Sequence, residues 1–154
     1  MADLTQFEVV EKEKVQYIVV KIGGEQYGIG ISNIDNIVRM CTIARVAKAP
    51  FHYRGVINLR GEVVPVMSLR RRMGLEDDVF TDASRIILSK LENIGLMGVI
   101  VDEVKEVLSL SEDDIEPPTQ ANKGKASFIN GVGTNGDELI SIFEISSIIG
   151  DVEA

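Results

Sequence analysis

The segment Gly55-Val-Ile-Asn-Leu-Arg-Gly-Glu-Val-Val-Pro-Val-Met-Ser-Leu69 is echoed without a gap by Gly131-Val-Gly-Thr-Asn-Gly-Asp-Glu-Leu-Ile-Ser-Ile-Phe-Glu-Ile145. Each copy opens on glycine, breaks at a tight polar turn and resumes an apolar run, which is the pattern of a β-hairpin. A second echo precedes it, because Gly28 to Val38 lines up with Gly98 to Leu108 in the same apolar order. Repeated units of this kind cannot each bury a hydrophobic face alone and must stack on one another. Any fold for this chain is therefore built from two related halves in tandem.

The segments between the echoes supply the remaining elements. Val15 to Ile22 is rich in β-branched residues and runs into Gly23-Gly24, so a strand is expected with its return over Gln26 to Ile31. Ser32 is an N-cap candidate with Asp35 three positions on, and Ile34, Ile37 and Val38 fall at the i, i+3, i+4 spacing of one helical face. Asp102 takes the cap position in the second half, and Val104, Val107 and Leu108 repeat the stripe. One or two turns of helix are expected at each place.

A short strand is expected around Thr42 to Val46, then a loop over Lys48 to Tyr53 in which Pro50 blocks sheet pairing. The hairpin arms are Gly55 to Leu59 and Glu62 to Ser68, followed by a helical turn ended by Gly74 and a polar connector from Asp77 to Ser84. The second half repeats the order, with strands near Arg85 to Leu91, Leu96 to Val101 and Val107 to Leu110. It carries an acidic, proline-bearing insertion between Leu108 and Phe128 and a terminal helix from Ile145 to Ile149. Five short strands per half bury enough apolar area only by curling into small barrels. The expectation is a mainly β chain of two tandem five-stranded SH3-like barrels with short helices: an extension over 1–14, then barrels at about 15–83 and 84–150.

Composition narrows the function classes. The formal net charge of −8 would repel a phosphate backbone unless the basic residues were gathered on one face, and only Arg70-Arg71-Arg72 clusters in sequence. Nucleic acid is not expected as a partner. The single Cys41 and the absence of Cys/His metal spacing suit a reducing, cytoplasmic compartment and no metal or cofactor. No apolar run approaches the ~20 residues of a membrane span, and the first residues lack a signal-peptide pattern.

Catalytic motifs are also missing. Gly131-Val-Gly-Thr-Asn-Gly136 matches G-x-G-x-x-G literally, but a phosphate loop must open a helix, and a β-type apolar run follows here. Asn135-Gly136 reads instead as the hairpin turn. His52 is the only histidine, with no nucleophile placed beside it by any recognisable spacing. The repeat pairs Glu62 with Glu138, as common ancestry would, and pairs Arg60 with Gly136. Arg60 thus has two readings, an exposed hairpin tip or a partner-facing anchor. The two apolar stripes, with Ile31 ahead of the first, exceed what one face of a short helix can bury. Some of them should line a groove between the barrels, suited to an amphipathic helix.

In this order and with these gaps, several segments together resemble the CheW coupling proteins of bacterial chemotaxis, from about Val15 to Ile149. They are Gly24-Glu-Gln-Tyr-Gly28, Gly55-Val-Ile-Asn-Leu-Arg-Gly61, Val64-Pro-Val66, Leu69-Arg70, Val99-Ile-Val-Asp102, Ile115-Glu-Pro-Pro118 and the Gly131-Val132 hairpin. The resemblance implies a non-enzymatic adaptor, cytoplasmic and recruited to membrane-bound receptor arrays. It would bind the cytoplasmic helical tip of chemoreceptors and the regulatory domain of the histidine kinase CheA. The positions matching the family's receptor groove are Ile18, Ile31, Ile34, Ile37 and Val104, and Arg60 matches its hairpin arginine. Asn36 stands where the family commonly has glutamate. Two other readings of the residues stay open: a small β-barrel ligand-binding or enzymatic domain, and a stand-alone relative of the kinase's regulatory domain.

Overall fold

A computed structural model of the chain describes residues 14–91, 95–117 and 129–145. The described residues form β1 (Lys14–Ile22), β2 (Glu25–Gly30), β3 (Ile34–Arg39), β4 (Tyr53–Leu59), β5 (Glu62–Ser68), the short helix α1 (Leu69–Arg72), β6 (Arg85–Leu91), β7 (Gly95–Val101), β8 (Glu103–Ser111), β9 (Ile115–Glu116), β10 (Ile129–Asn135) and β11 (Glu138–Phe143). Single 3-10 turns at Ile31–Asn33 and Glu112–Asp114 precede β3 and β9. The expected hairpins, the helical turn after Ser68 and the polar connector are all in place. Ser68 caps α1 by accepting a 3.1 Å hydrogen bond from the Arg71 N–H, and Gly74 at φ 75 ends the turn. The expected terminal helix beyond Ile145, the extension before Lys14 and the insertion from residue 118 lie outside the described residues.

The strands make two sheets, in the orders β8-β1-β2-β11-β10-β9 and β3-β6-β7-β5-β4. Each bends back toward its own first strand. In the five-stranded sheet the chain beyond β3 returns to β4, where Ala44 and Val56 exchange two 2.8 Å backbone hydrogen bonds. In the six-stranded sheet the chain beyond β8 turns through Glu112–Asp114 into β9, which pairs with β10 at Val132↔Glu116 and Gly133↔Ile115. The two expected SH3-like barrels correspond to these curled sheets. The strand expected over Thr42 to Val46 is reduced to the single Ala44 bridge, because Pro50 and the turn at Lys48 cut the ladder short.

The sheets do not divide at the 83/84 boundary of the repeat. β1 and β2 join the sheet of β8–β11, while β6 and β7 join that of β3–β5. The exchange is made by the antiparallel pairings β1 with β8 and β3 with β6 and by two parallel pairings, β2 with β11 and β5 with β7, in which Gly28 faces Ile142 and Gly98 faces Val66. A Cβ on either glycine would press on a neighbouring isoleucine, at 3.0 Å from the Ile142 Cδ1 and 2.7 Å from the Ile86 Cγ2. Both copies of the echo keep glycine there because the strands meet too closely for a side chain.

Three cores result. Val19, Leu110, Ile140 and Ile142 fill the curl of the six-stranded sheet; Ile57, Val64, Val66, Ile86, Leu88 and Ile100 fill that of the five-stranded sheet. A larger central core between the sheets includes Ile18, Val20, Ile22, Ile29, Met67, Leu69, Ile87, Met97 and Val101. Tyr27 and Phe143 stack within it at 4.6 Å between ring centroids. The middles of these strands are buried on both faces, which is why residues 17–20 of β1 and 86–88 of β6 read as short continuous apolar runs rather than alternating ones.

The helices expected at the two apolar stripes are strands instead. In β3 the register with β6 runs Ile34↔Ser89 and then Asn36↔Leu88, leaving Asp35 as an extra residue. In β8 the register with β1 runs Val20↔Val104 and then Val19↔Glu106, leaving Lys105 extra. A bulge of one residue resets the alternation, so that positions i and i+3 share a face of the strand. A bulged strand therefore wrote the same apolar spacing as a helical turn. The bulges fall at corresponding positions of the second echo.

Candidate functional site

The two bulged strands place their apolar residues along the outer margin of the central core. Across β8, Val104 pairs with Val20 and Val107 with Ile18; across β3, Ile34 pairs with Ser89 and Ile37 with Ile87. Directly paired residues share a face of the sheet, so Val104 and Val107 on one sheet, and Ile34 and Ile37 on the other, all lie on the central side. Ile31, in the turn before β3, packs against the same core, as do Ile34, Ile37 and Val104. These four are partly exposed and Val107 is 54% exposed. An apolar face results, with one wall from each sheet.

Ile18 differs from the other predicted residues. At 8% exposure it lies beside Val107 on the neighbouring strand, as part of the core. Val107, a member of the second apolar stripe that the second echo pairs with Ile37, takes the exposed position. Ser89 was missed. It is fully buried beside Ile34 on the neighbouring strand, and its hydroxyl has no hydrogen-bond partner among the described residues. Its counterpart beside Val104 in the other sheet is Val20.

Asn36 sits exposed just past the β3 bulge, where its side-chain oxygen accepts a 2.8 Å hydrogen bond from the Ile37 N–H. That bond ties the side-chain oxygen to the backbone of the next residue. Arg60 is not part of the apolar face. It stands exposed at the tip of the β4–β5 hairpin at φ 53, followed by Gly61 at φ 86. Two successive positive φ values define the tight turn whose twist matches a hairpin. The Asn58 side chain accepts from the Gly61 N–H at 2.9 Å and pins the turn from below. In the second copy Asn135 pairs with Glu138, so the turn centres on Gly136 and Asp137, one residue later than expected, with Gly136 at φ 66.

Charged side chains brace the frame around this face. Arg70 grips Asp102 with two hydrogen bonds, of 2.9 and 2.6 Å, and the Gly23 N–H donates to the same carboxylate at 2.9 Å. The contact joins α1, the β1–β2 turn and the start of β8. Burial works against ionising Asp102, but the Arg70 and Gly23 hydrogen bonds outweigh it and hold the carboxyl below its usual range. The Arg71 guanidinium, bidentate on Asp77 at 2.9 Å, holds that carboxyl at about 2. Burial, with Arg72 nearby, lowers the pKa of His52 and so favours its neutral form. Among the described residues no group of three or more His, Cys, Asp or Glu could hold a metal ion, and no helix is long and apolar enough to cross a membrane.

The arrangement defines a class: a two-sheet, tandem-repeat β protein whose most distinctive surface is an apolar face between its sheets. A family model described as the CheW-like domain matches residues 16–153, and the chain belongs to that family. It is 32% identical over 143 residues to the chemotaxis protein CheW of Bacillus subtilis, covering 92% of this chain and 90% of that one. The chemotaxis protein CheW of Helicobacter pylori is 31% identical over 138 residues, covering 90% and 83% of the two chains. Among solved structures, the scaffolding protein TtCheW of Thermoanaerobacter tengcongensis superposes with a TM-score of 0.77 at 30% identity, covering 87% of this chain and 90% of that one. The chain is thus a chemotaxis scaffold protein of the CheW type.

Proposed function

We propose that this chain couples the cytoplasmic tip of chemoreceptors to the regulatory domain of the histidine kinase CheA, with no chemistry of its own, and is recruited from the cytoplasm to membrane-bound receptor arrays. The observation that carries the reading is the apolar face of Ile31, Ile34, Ile37, Val104 and Val107, which lies between two sheets of a CheW-like fold. A receptor helix laid along it would present apolar residues at i, i+3 and i+4 to the two walls. Ile18 packs beside Val107 on the neighbouring strand. Asn36 stands exposed on the opposite face of β3, and Arg60 is the anchor on the hairpin tip.

The test is reconstitution with a cognate receptor and CheA. The protein should raise receptor-dependent phosphorylation of the kinase, and no rise would overturn the reading. Ile34→Asp should abolish receptor binding. Because Ile34 packs on the core, that variant is paired with Val107→Asp, whose wild-type side chain is 54% exposed. Val107→Asp should keep the native circular dichroism spectrum and lose receptor binding; retained binding in a folded Val107→Asp protein would remove the face from the mechanism.

A further inference from the structure

A second surface lies on the five-stranded sheet, where the chain between β3 and β4 stands off from the rest. The isolated Ala44–Val56 bridge closes the curl there, and the loop around it borders a hollow of about 1020 Å³ that is broadly open to solvent. Four cations line it, namely Arg45, Lys48, Arg54 and Arg71, and no acidic side chain does. The chain as a whole has 24 acidic against 16 basic residues, so this local excess runs against its overall charge.

Two of the cations are held in place. The Arg71 guanidinium lies 4.5 Å from the Phe51 ring centroid, donates to the Phe51 carbonyl at 3.1 Å and is bidentate on Asp77. Arg54 lies 4.9 Å from the Phe80 ring and pairs with Asp77 at 3.1 Å. Arg45 and Lys48 form no ion pair or side-chain hydrogen bond among the described residues, and Lys48 sits at φ 64, a conformation side chains rarely adopt. Strained backbone of this kind persists where the surroundings over-determine it, often at ligand contacts. The rings that steady the arginines are themselves open, Phe51 at 66% and Phe80 at 42% exposure.

We infer that this hollow docks a carboxylate-rich segment of a protein partner, with an apolar side chain of that segment resting on Phe51 or Phe80. Opposed charge draws the segment in and fixes its register, and the aromatic shelf holds it. The surface is separate from the apolar face between the sheets and stands or falls without it.

The probe is a fluorescein-labelled peptide of sequence Asp-Glu-Phe-Glu-Asp, followed by anisotropy at low salt. It should bind saturably, weaken as salt rises, and lose affinity at least about tenfold in the Arg45→Glu, Lys48→Glu double variant. Both side chains are exposed, so the double variant should fold; Arg45→Gln with Lys48→Gln should show the smaller loss of neutralisation. Lys90→Glu, an equally exposed charge change on β6, should leave binding unchanged. Absence of saturation, binding indifferent to the double reversal, or tighter binding of a single-stranded oligonucleotide of equal charge would each overturn the assignment.

Discussion

Arg60 adopts at φ 53 the backbone conformation that the other half of the molecule gives to Gly136 at φ 66. Holding a side chain there rather than glycine costs about 1–2 kcal/mol. A turn with no external duty would be expected to shed that strain, as the second copy does. Arg60→Gly should therefore keep or raise the urea midpoint while weakening receptor-dependent kinase stimulation; a clear loss of stability would make the arginine structural. Ser89 shows the opposite situation, a buried hydroxyl without a partner where Val20 packs in the other sheet. Ser89→Ala should gain about 1 kcal/mol by removing an unsatisfied group, seen as a higher urea midpoint at unchanged slope. Comparing the two halves brings Arg60 forward from sequence alone. The strain at Arg60 and the isolation of Ser89 depend on a dihedral angle and on a neighbour across a sheet, and neither is written in the local residues.

The elements were mostly legible where a turn residue punctuates them. Gly23-Gly24, Arg60-Gly61 and Gly74 end their elements where turn chemistry places them. The failures came at Ile34–Arg39 and Glu103–Ser111, where bulges at Asp35 and Lys105 give strands a helix-like apolar spacing. Among the expected groove residues Ile34 and Ile37 still share a face, since i and i+3 do so in either geometry. Ile18 is buried at 8% exposure, whereas Val107 of the second stripe is 54% exposed. The repeated Gly55 and Gly131 now have a physical reason. Each lies where the closing segment crosses the hairpin, and an added Cβ would sit 2.1 Å from the Ala44 carbonyl oxygen in one case and 2.8 Å from that of Glu116 in the other. Gly55 also holds φ 145, a region nearly confined to glycine. Gly55→Ala should lose about 3 kcal/mol or more and Gly131→Ala less, as measured by thermal unfolding; equal small losses would mean the closing segments yield freely.

At the scale of the molecule, the repeat in the sequence and the sheets in space are cut differently. Gly28 and Gly98 were visible as matched positions, but their role in joining one half to the other was not, because parallel pairing between distant strands leaves no local pattern. A chain cut in the connector yields a 14–83 piece lacking four strands of the six-stranded sheet and two of the five-stranded one, and an 84–145 piece lacking two and three. Each piece alone should show little native circular dichroism, and mixing them should restore it. A folded 14–83 fragment would contradict the exchange.

The same exchange sets a schedule for synthesis. Phe143 on β11 pairs with Ile29 on β2, so during synthesis β1 and β2 wait for a much later strand before their sheet can be completed. Pairings across such a sequence separation form slowly and leave strand edges open meanwhile. Nascent chains of this protein should therefore be clients of ribosome-associated chaperones until β11 has emerged, however stable the finished molecule is.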